Sequence, residues 1–446
     1  MTAPSAETRP ADAPAPGTAG GREPVASALE EALRPVLRGG LPVRLRAWDG
    51  SVAGPAEGPT VLVHRPDALR RLLWSPGELG AAQAFVTGAV DVDGDLGEAL
   101  DRGRAAVAER GLTRPSPTDL ARTLAALGRI AKDHGALGRP LPPPATQAVL
   151  RGRLHTLGRD RRAISHHYDV STDFYELVLD PQMAYSCGWY GDDLAADGVL
   201  ADALDPAAEE AALEKAQGAK LDLVCRAIGL RAGMHLLDVG CGWGSLTLHA
   251  AEHVGARVTG VTISAEQQAF VQARVEQRGL GDRVEVRLQD YREVDDGPYD
   301  AAASLEMGEH VGQGSYPTYV EALRRNVRPG GRVLIQQMSR RTRPGGGAFI
   351  ESFIAPDMHM RPLGETVELI EAGGLEVRDV RAMREHYVRT VDGWIARFEE
   401  NHDAIVHLVG EEMARVWRLY LVGGRQAFRD GRMGVDQILA RRPEAR

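Results

Sequence analysis

From Leu221 onward, short apolar runs alternate with stretches of helical spacing, and this alternation constrains the chain more than any other feature. His235–Val239, Arg257–Val261, Val284–Leu288, Tyr299–Ser304 and Arg332–Gln336 read as strands separated by helix-length segments. Strands spaced this way are joined by right-handed crossovers, so the sequence predicts an α/β, mostly parallel, doubly wound sheet. The first of these strands runs directly into Gly240-Cys-Gly-Trp-Gly244 and then into the helical Ser245–Ala251. Glycines at such a turn let the backbone approach a ligand closely, in the crevice where open α/β sheets bind. A dinucleotide-binding oxidoreductase would have a GxGxxG turn and an acid after the next strand. Here the spacing is GxGxG and the next strand ends in Val261-Thr-Ile-Ser264, so that reading is the weaker one.

With 446 residues, about three times the usual domain size, two folded units plus linkers are expected. Residues 1–25 carry Ala, Pro, Gly, Thr and charge without an apolar period, which predicts a disordered tail. From Val25 a helical spacing (Ala28, Leu29, Leu33, Val36, Leu37) is followed by the alternating runs Val43–Leu45 and Val61–Val63. We read a small α+β N-terminal domain over 26–130, its sheet-bearing part ending near Leu100 and a helix spanning Asp119 to Ile130. The prolines of Gly138–Pro144 cannot continue a helix, so 131–160 is read as a basic, Pro-rich linker and 161–446 as the catalytic half.

A net charge of −9 argues against a nucleic-acid partner. Between Arg129 and Arg162, however, eight Lys/Arg stand against two acids. This is either a solvated linker or a patch that attracts anionic phospholipid head groups. Three cysteines without a CxxC pair exclude a disulfide framework and a structural zinc site, no metal is expected, and a reducing cytoplasm fits. The adjacent His166 and His167 lack the further ligands a metal site would need. No run approaches the ~18 apolar residues that span a bilayer, so any work on lipid is expected from the inner membrane face, by peripheral association.

Asp238 before the loop, the GxGxG turn itself and Gln289-Asp290 after the third strand together resemble a class I S-adenosylmethionine-dependent methyltransferase with its Rossmann-like sheet. Further stretches narrow the resemblance. His166–Val170, Phe174–Pro181, Met183-Ala-Tyr-Ser-Cys-Gly-Trp-Tyr190, Val261–Gln267 and Ser304-Leu-Glu-Met-Gly-Glu-His-Val-Gly312 are similar, in order, to the motifs of the cyclopropane-fatty-acyl-phospholipid synthases and mycolic acid methyltransferases. The match covers roughly 160–400, and Gly77–Gly80 and Gly88–Leu96 resemble the small N-terminal domain of the bacterial synthases more loosely.

The resemblance implies methyl transfer from S-adenosyl-L-methionine to the double bond of an unsaturated phospholipid acyl chain, through a carbocation deprotonated by a bound bicarbonate. It assigns the anion to Cys187, Glu309, Tyr387 and, where the best-known synthases carry a histidine, Gln336. Glutamine can donate to the anion but cannot titrate near neutrality. For the cofactor it points to Tyr185, Ser186, Gly240, Gly242, Gly244, Thr262, Gln267, Asp290 and Tyr291, with Asp238 as an acceptor holding the loop. Glu306 is read as a supporting hydrogen-bond partner, His310 as orienting its neighbours, and Cys225 and Cys241 as packing.

Met358, His359 and Met360, in a loop that departs from the family pattern, are expected to border the acyl channel and shape product choice. The implied product is a 10-methylene precursor of a methyl-branched chain, such as tuberculostearate, or a cyclopropane; Gln336 and this loop incline the reading toward the first. A separate reductase would then complete the branched product, and a homodimer is left open. The rival enzyme reading is methylation of a small O or N nucleophile, and the rival outside catalysis is a lipid-binding protein with a vestigial cofactor fold.

Overall fold

The computed structural model describes residues 23–112, 116–148, 171–191, 206–342 and 344–444. The tail through residue 22, the His166-His167 pair and the part of the basic linker beyond residue 148 lie outside the described residues.

Two sheets organise the chain. The smaller contains β1 (Arg44–Arg46), β2 (Val52–Ala53), β3 (Thr60–Val63) and β4 (Val90–Asp93) in the spatial order β2-β1-β3-β4. Around it lie α1 (Val25–Leu37), α2 (Asp67–Trp74), α3 (Glu78–Val86), α4 (Leu96–Glu109) and α5 (Pro117–Asp133). Val25, Ala26, Leu29 and Ala32 of α1 share one core with Leu127 and Ala131 of α5, so the unit extends past the sheet. α5 begins earlier than its apolar period because the Ser116 hydroxyl accepts from the Asp119 N–H at 3.0 Å and Pro117 takes the first helical position.

The larger sheet contains β5 (His235–Val239), β6 (Arg257–Thr262), β7 (Val284–Leu288), β8 (Tyr299–Leu305), β9 (Val327–Arg340), β10 (Glu376–Ala382) and β11 (Met433–Arg441). Their spatial order is β10-β11-β9-β8-β5-β6-β7. β7, β6, β5, β8 and β9 run parallel, as the alternation predicts. The addition is β11, which inserts antiparallel between β9 and β10, its Gln437 opposite Gln336. Its companions are α6 (Thr172–Val178), α7 (Pro206–Ala227), α8 (Ser245–His249), α9 (Ala265–Gln277), α10 (Tyr316–Asn326), α11 (Leu363–Ala372), α12 (Arg384–Glu400) and α13 (His402–Arg429), the last broken at Gly410. Both faces of the central strands are covered, which is why these strands read as unbroken apolar runs.

α13 ties the two units together. Arg415 donates to the carbonyls of Phe85 and Val90 and pairs with Asp91 at 3.1 Å. Gln426 reaches the Gly97 carbonyl and Arg429 reaches Asp101. Nearer the catalytic half, a buried pair, Arg389 of α12 with Glu209 of α7 at 3.0 Å, fixes the two helices that carry much of the site.

Candidate active site

The carboxyl ends of β5, β6, β7 and β8 open on one cavity of about 150 Å³. Glycines shape its floor: Gly240 (φ 75°) and Gly242 (φ 54°) take left-handed backbone, and both line the cavity. Gly244 (φ 83°) corrects the sequence reading. It stands at the N-terminus of α8, outside the lining, with its absent Cβ pressed toward Val271 of α9, so it serves helix packing and makes no wall of the ligand site.

The remaining residues assigned to the cofactor all line the cavity: Tyr185, Ser186, Asp238, Thr262, Gln267, Asp290 and Tyr291. Asp238 accepts from the Thr247 hydroxyl at 2.7 Å, and burial pushes its carboxyl up to about 6. The Thr262 hydroxyl donates to Gln267 Oε1 at 2.7 Å, which fixes the amide and leaves the buried Nε2 without a hydrogen-bond partner among the described residues. Asp290 accepts from the Arg292 backbone and guanidinium, at 2.7 Å to the latter, so its carboxylate is anchored. Tyr185 joins its hydroxyl to that of Tyr420 at 3.0 Å within a cluster of Tyr175, Trp394 and Trp417.

None of the four residues assigned to the bicarbonate lines this cavity; Glu306 does. Its Oε1 accepts from Gln336 Nε2 at 2.9 Å and from the Cys187 N–H at 3.4 Å. Gln336 is held in turn by Gln437 Nε2, which donates to its Oε1 at 2.8 Å. Glu309 is fully buried with neither carboxyl oxygen hydrogen-bonded, and the loop after it is clamped by the His359 N–H on its carbonyl at 2.7 Å. Burial and the neighbouring Glu306 charge push Glu309 well above the usual carboxylate range. Tyr387 packs on Phe428 at 4.3 Å between ring centres, and burial, with Glu306 adding, raises its hydroxyl. The Cys187 thiol donates to the carbonyls of Gly188 and Met383, and burial keeps it protonated, a positioner and not a nucleophile. Met358 and Met360 lie in the apolar core shared with Cys187 and Tyr387, while Ala355, Pro356 and Asp357 of the same loop reach the cavity.

Two further residues escaped the sequence reading. Lys220 of α7 is fully buried, donates to Ser186 Oγ at 2.8 Å, and has an amine lowered to about 8 by burial. Its signal was a lysine on the stripe Leu213, Gln217, Leu221 and Val224, where a helix facing a core carries apolar side chains. Gln217 on that stripe donates to the carbonyls of Ala184 and Ser186, so α7 sets the 183–190 segment that presents Cys187. Gln437 had no such signal, because it reaches Gln336 only through the β9–β11 register.

A seven-stranded sheet with one antiparallel strand near its edge, and a glycine-floored cavity with an acid, an amide and a tyrosine after successive strands, define a class I S-adenosylmethionine-dependent methyltransferase. Comparison with known proteins narrows this. The family model for mycolic acid cyclopropane synthetase matches residues 155–438. A Mycobacterium tuberculosis protein named a probable fatty acid methyltransferase is 35% identical over 416 residues, covering 91% of this chain and 92% of the relative. The tuberculostearic acid methyltransferase UfaA1 of the same organism is 33% identical, over 89% of this chain and 87% of its own length. The Escherichia coli cyclopropane-fatty-acyl-phospholipid synthase is 31% identical, over 85% and 87%. Among solved structures, mycolic acid cyclopropane synthase CmaA1 complexed with SAH and CTAB superposes with a TM-score of 0.56 at 29% identity, covering 63% of this chain and 98% of that one. The chain belongs to the mycolic acid cyclopropane synthetase family and is an S-adenosylmethionine-dependent methyltransferase.

S-adenosylmethionine fits the cavity: the orphaned Gln267 amide faces a ribose hydroxyl's chemistry, Tyr291 offers an aromatic wall for a purine, and Gly242 leaves room beside its backbone. Bicarbonate fits less well, because the Cys187 N–H and Gln336 amide that the resemblance assigns to it already serve the Glu306 carboxylate.

Proposed function

We propose that the chain transfers the methyl group of S-adenosylmethionine to the double bond of an unsaturated acyl chain in a membrane phospholipid, giving a 10-methylene or cyclopropane fatty acid. The observation that carries the reading is the carboxyl of Glu306, a half-buried residue with its Oε2 atom buried, ending the cofactor cavity beside residues that adjoin the apolar core of Cys187, Tyr387, Met358 and Met360. The bound sulfonium supplies an electrophilic methyl group, and the π electrons of the chain form the new carbon–carbon bond. Gln267 and Thr262 would hold the ribose, Tyr291 the adenine, and Tyr185 and Ser186 the region toward the acyl chain. The apolar core of Cys187, Tyr387, Met358 and Met360 would keep water from the cation left on the lipid.

Loss of a proton from the new methyl closes a ring directly; after a 1,2-hydride shift the same loss leaves a pendant methylene branch on the chain. Full-length similarity to proteins named fatty acid methyltransferase and tuberculostearic acid methyltransferase favours the methylene product. A saturated branch then requires a separate hydride-donating reductase. Among the described residues no helix is long and apolar enough to cross a membrane. Access to the acyl chain is assigned to a surface hollow where Trp74 (57% exposed) and Leu137 (56% exposed) meet Arg70, near the exposed Arg129, Lys132 and Arg139. That combination of aromatic, apolar and basic groups suits the anionic head groups of the inner membrane face.

Expression in a host rich in oleoyl phospholipid, followed by mass spectrometry of fatty acid methyl esters, separates a methylene branch, a ring and no change. S-adenosylmethionine binding without any methylated acyl product would favour a small O or N nucleophile as the substrate.

A further inference from the structure

We propose that the proton leaving the methylated acyl chain is taken by the carboxylate of Glu306, so that this chain carries its own base where the resemblance expects a bicarbonate. This rests on the acyl-transfer reading above.

Three independent observations support it. First, the donors are committed. Glu306 Oε1 accepts from both the Cys187 N–H and Gln336 Nε2, and Gln437 holds the Gln336 amide so that it cannot turn its donor elsewhere. A carboxylate oxygen therefore stands where the resemblance places an inorganic oxyanion. Second, the other oxygen is available: Glu306 lines the cavity, and its buried Oε2 has no hydrogen-bond partner among the described residues. Third, Glu306 sits at φ 54°, a left-handed backbone uncommon for a residue with a long side chain, and such strain persists where surrounding structure demands it.

Electrostatics decide between the two acids. Burial and the Glu306 charge weigh most on Glu309, whereas Glu306 accepts from two donors and lies within reach of the Lys220 charge. Burial raises both carboxyls, and the two donors and Lys220 oppose that rise at Glu306, so the shared proton is assigned to Glu309. Glu306 is assigned the charge and acts as the base, and a further anion placed against this pair would meet like charge. The step balances. A C–H bond of the transferred methyl breaks, and its electron pair forms either the third ring bond or, after the hydride shift, the second bond of the methylene. The proton passes to Glu306 Oε2.

The test uses the full chain with S-adenosylmethionine and vesicles of dioleoyl phosphatidylglycerol, in carbonate-free buffer and again with bicarbonate added. The rate should be the same in both, and titration with [13C]bicarbonate should show no bound resonance by NMR. Glu306→Gln, whose fold is checked by thermal unfolding, should lose at least about 100-fold in kcat. A wild-type rate that collapses without bicarbonate and returns with it, a saturable bound resonance, or a Glu306→Gln enzyme at full rate would each overturn the assignment. The wild-type arms keep the test decisive if the variant does not fold. No methylated acyl chain in either buffer would instead sink the acyl-transfer reading, and the base assignment with it.

Discussion

Gly242 and Gly244 stand two residues apart in one turn, yet a methyl group at each meets different surroundings. At 244 an added Cβ would lie 2.7 Å and 2.8 Å from the two methyls of Val271, far inside the ordinary carbon–carbon contact of about 3.5–4.0 Å. Left-handed backbone (φ 83°) costs an alanine about 1–2 kcal/mol, and overpacking adds about 1–3 kcal/mol, so Gly244→Ala should lose about 2–5 kcal/mol of stability. At 242 an added Cβ meets nothing within 4 Å, because the cavity lies there. Gly242→Ala should lose only the backbone contribution of about 1–2 kcal/mol while placing a methyl where the ligand must approach. We expect S-adenosylmethionine binding to weaken by about tenfold or more, equivalent to roughly 1.4 kcal/mol. Urea denaturation measures the first effect and calorimetry on folded protein the second. The double variant Gly244→Ala with Val271→Ala should recover part of the loss, with a coupling of about 1–3 kcal/mol, because the colliding methyls are gone. Equal destabilisation by both glycine variants, or strict additivity with Val271→Ala, would refute the division of labour.

The remaining expectations are shorter. Glu209→Ala leaves the buried Arg389 guanidinium uncompensated and should cost about 3–5 kcal/mol in urea denaturation; a loss below about 1 kcal/mol would mean the pair is solvated. The Asp238 carboxyl is raised from 3.8 to about 6, so its contribution to stability is full below the unfolded value and is lost as pH rises through the folded one. The stability of wild type relative to Asp238→Asn should therefore fall by roughly 2 kcal/mol between pH 4 and 7, and a flat difference would show that burial does not control this group. Lys220 is charged only below about pH 8, so the rate should decline as pH rises through that value, and Lys220→Met should lower kcat and abolish that limb. Vesicle sedimentation should find Trp74→Ala with Arg139→Glu weakly bound to anionic vesicles; unchanged binding would move the membrane contact elsewhere.

The sequence by itself determined the strand-and-helix alternation, the glycine turn after β5 and most of a set of residues that gather on one cavity. These are local matters: hydrophobic periodicity, caps such as Ser116, and backbone freedom at Gly240 and Gly242 act over a few residues. Gly244 was misread because its neighbour Val271 is distant in the chain. Tertiary structure alone decided the centre. Glu306 and Glu309 look alike in sequence, and what separates them is that the Cys187 N–H and Gln336, itself held by Gln437, donate to the first, while burial and the Glu306 charge weigh on the second. The buried Lys220 charge likewise depends on α7 packing against the 183–190 segment. The Gln437–Gln336 hydrogen bond spans 101 positions and exists only once β11 has inserted beside β9, and no local pattern encodes that register.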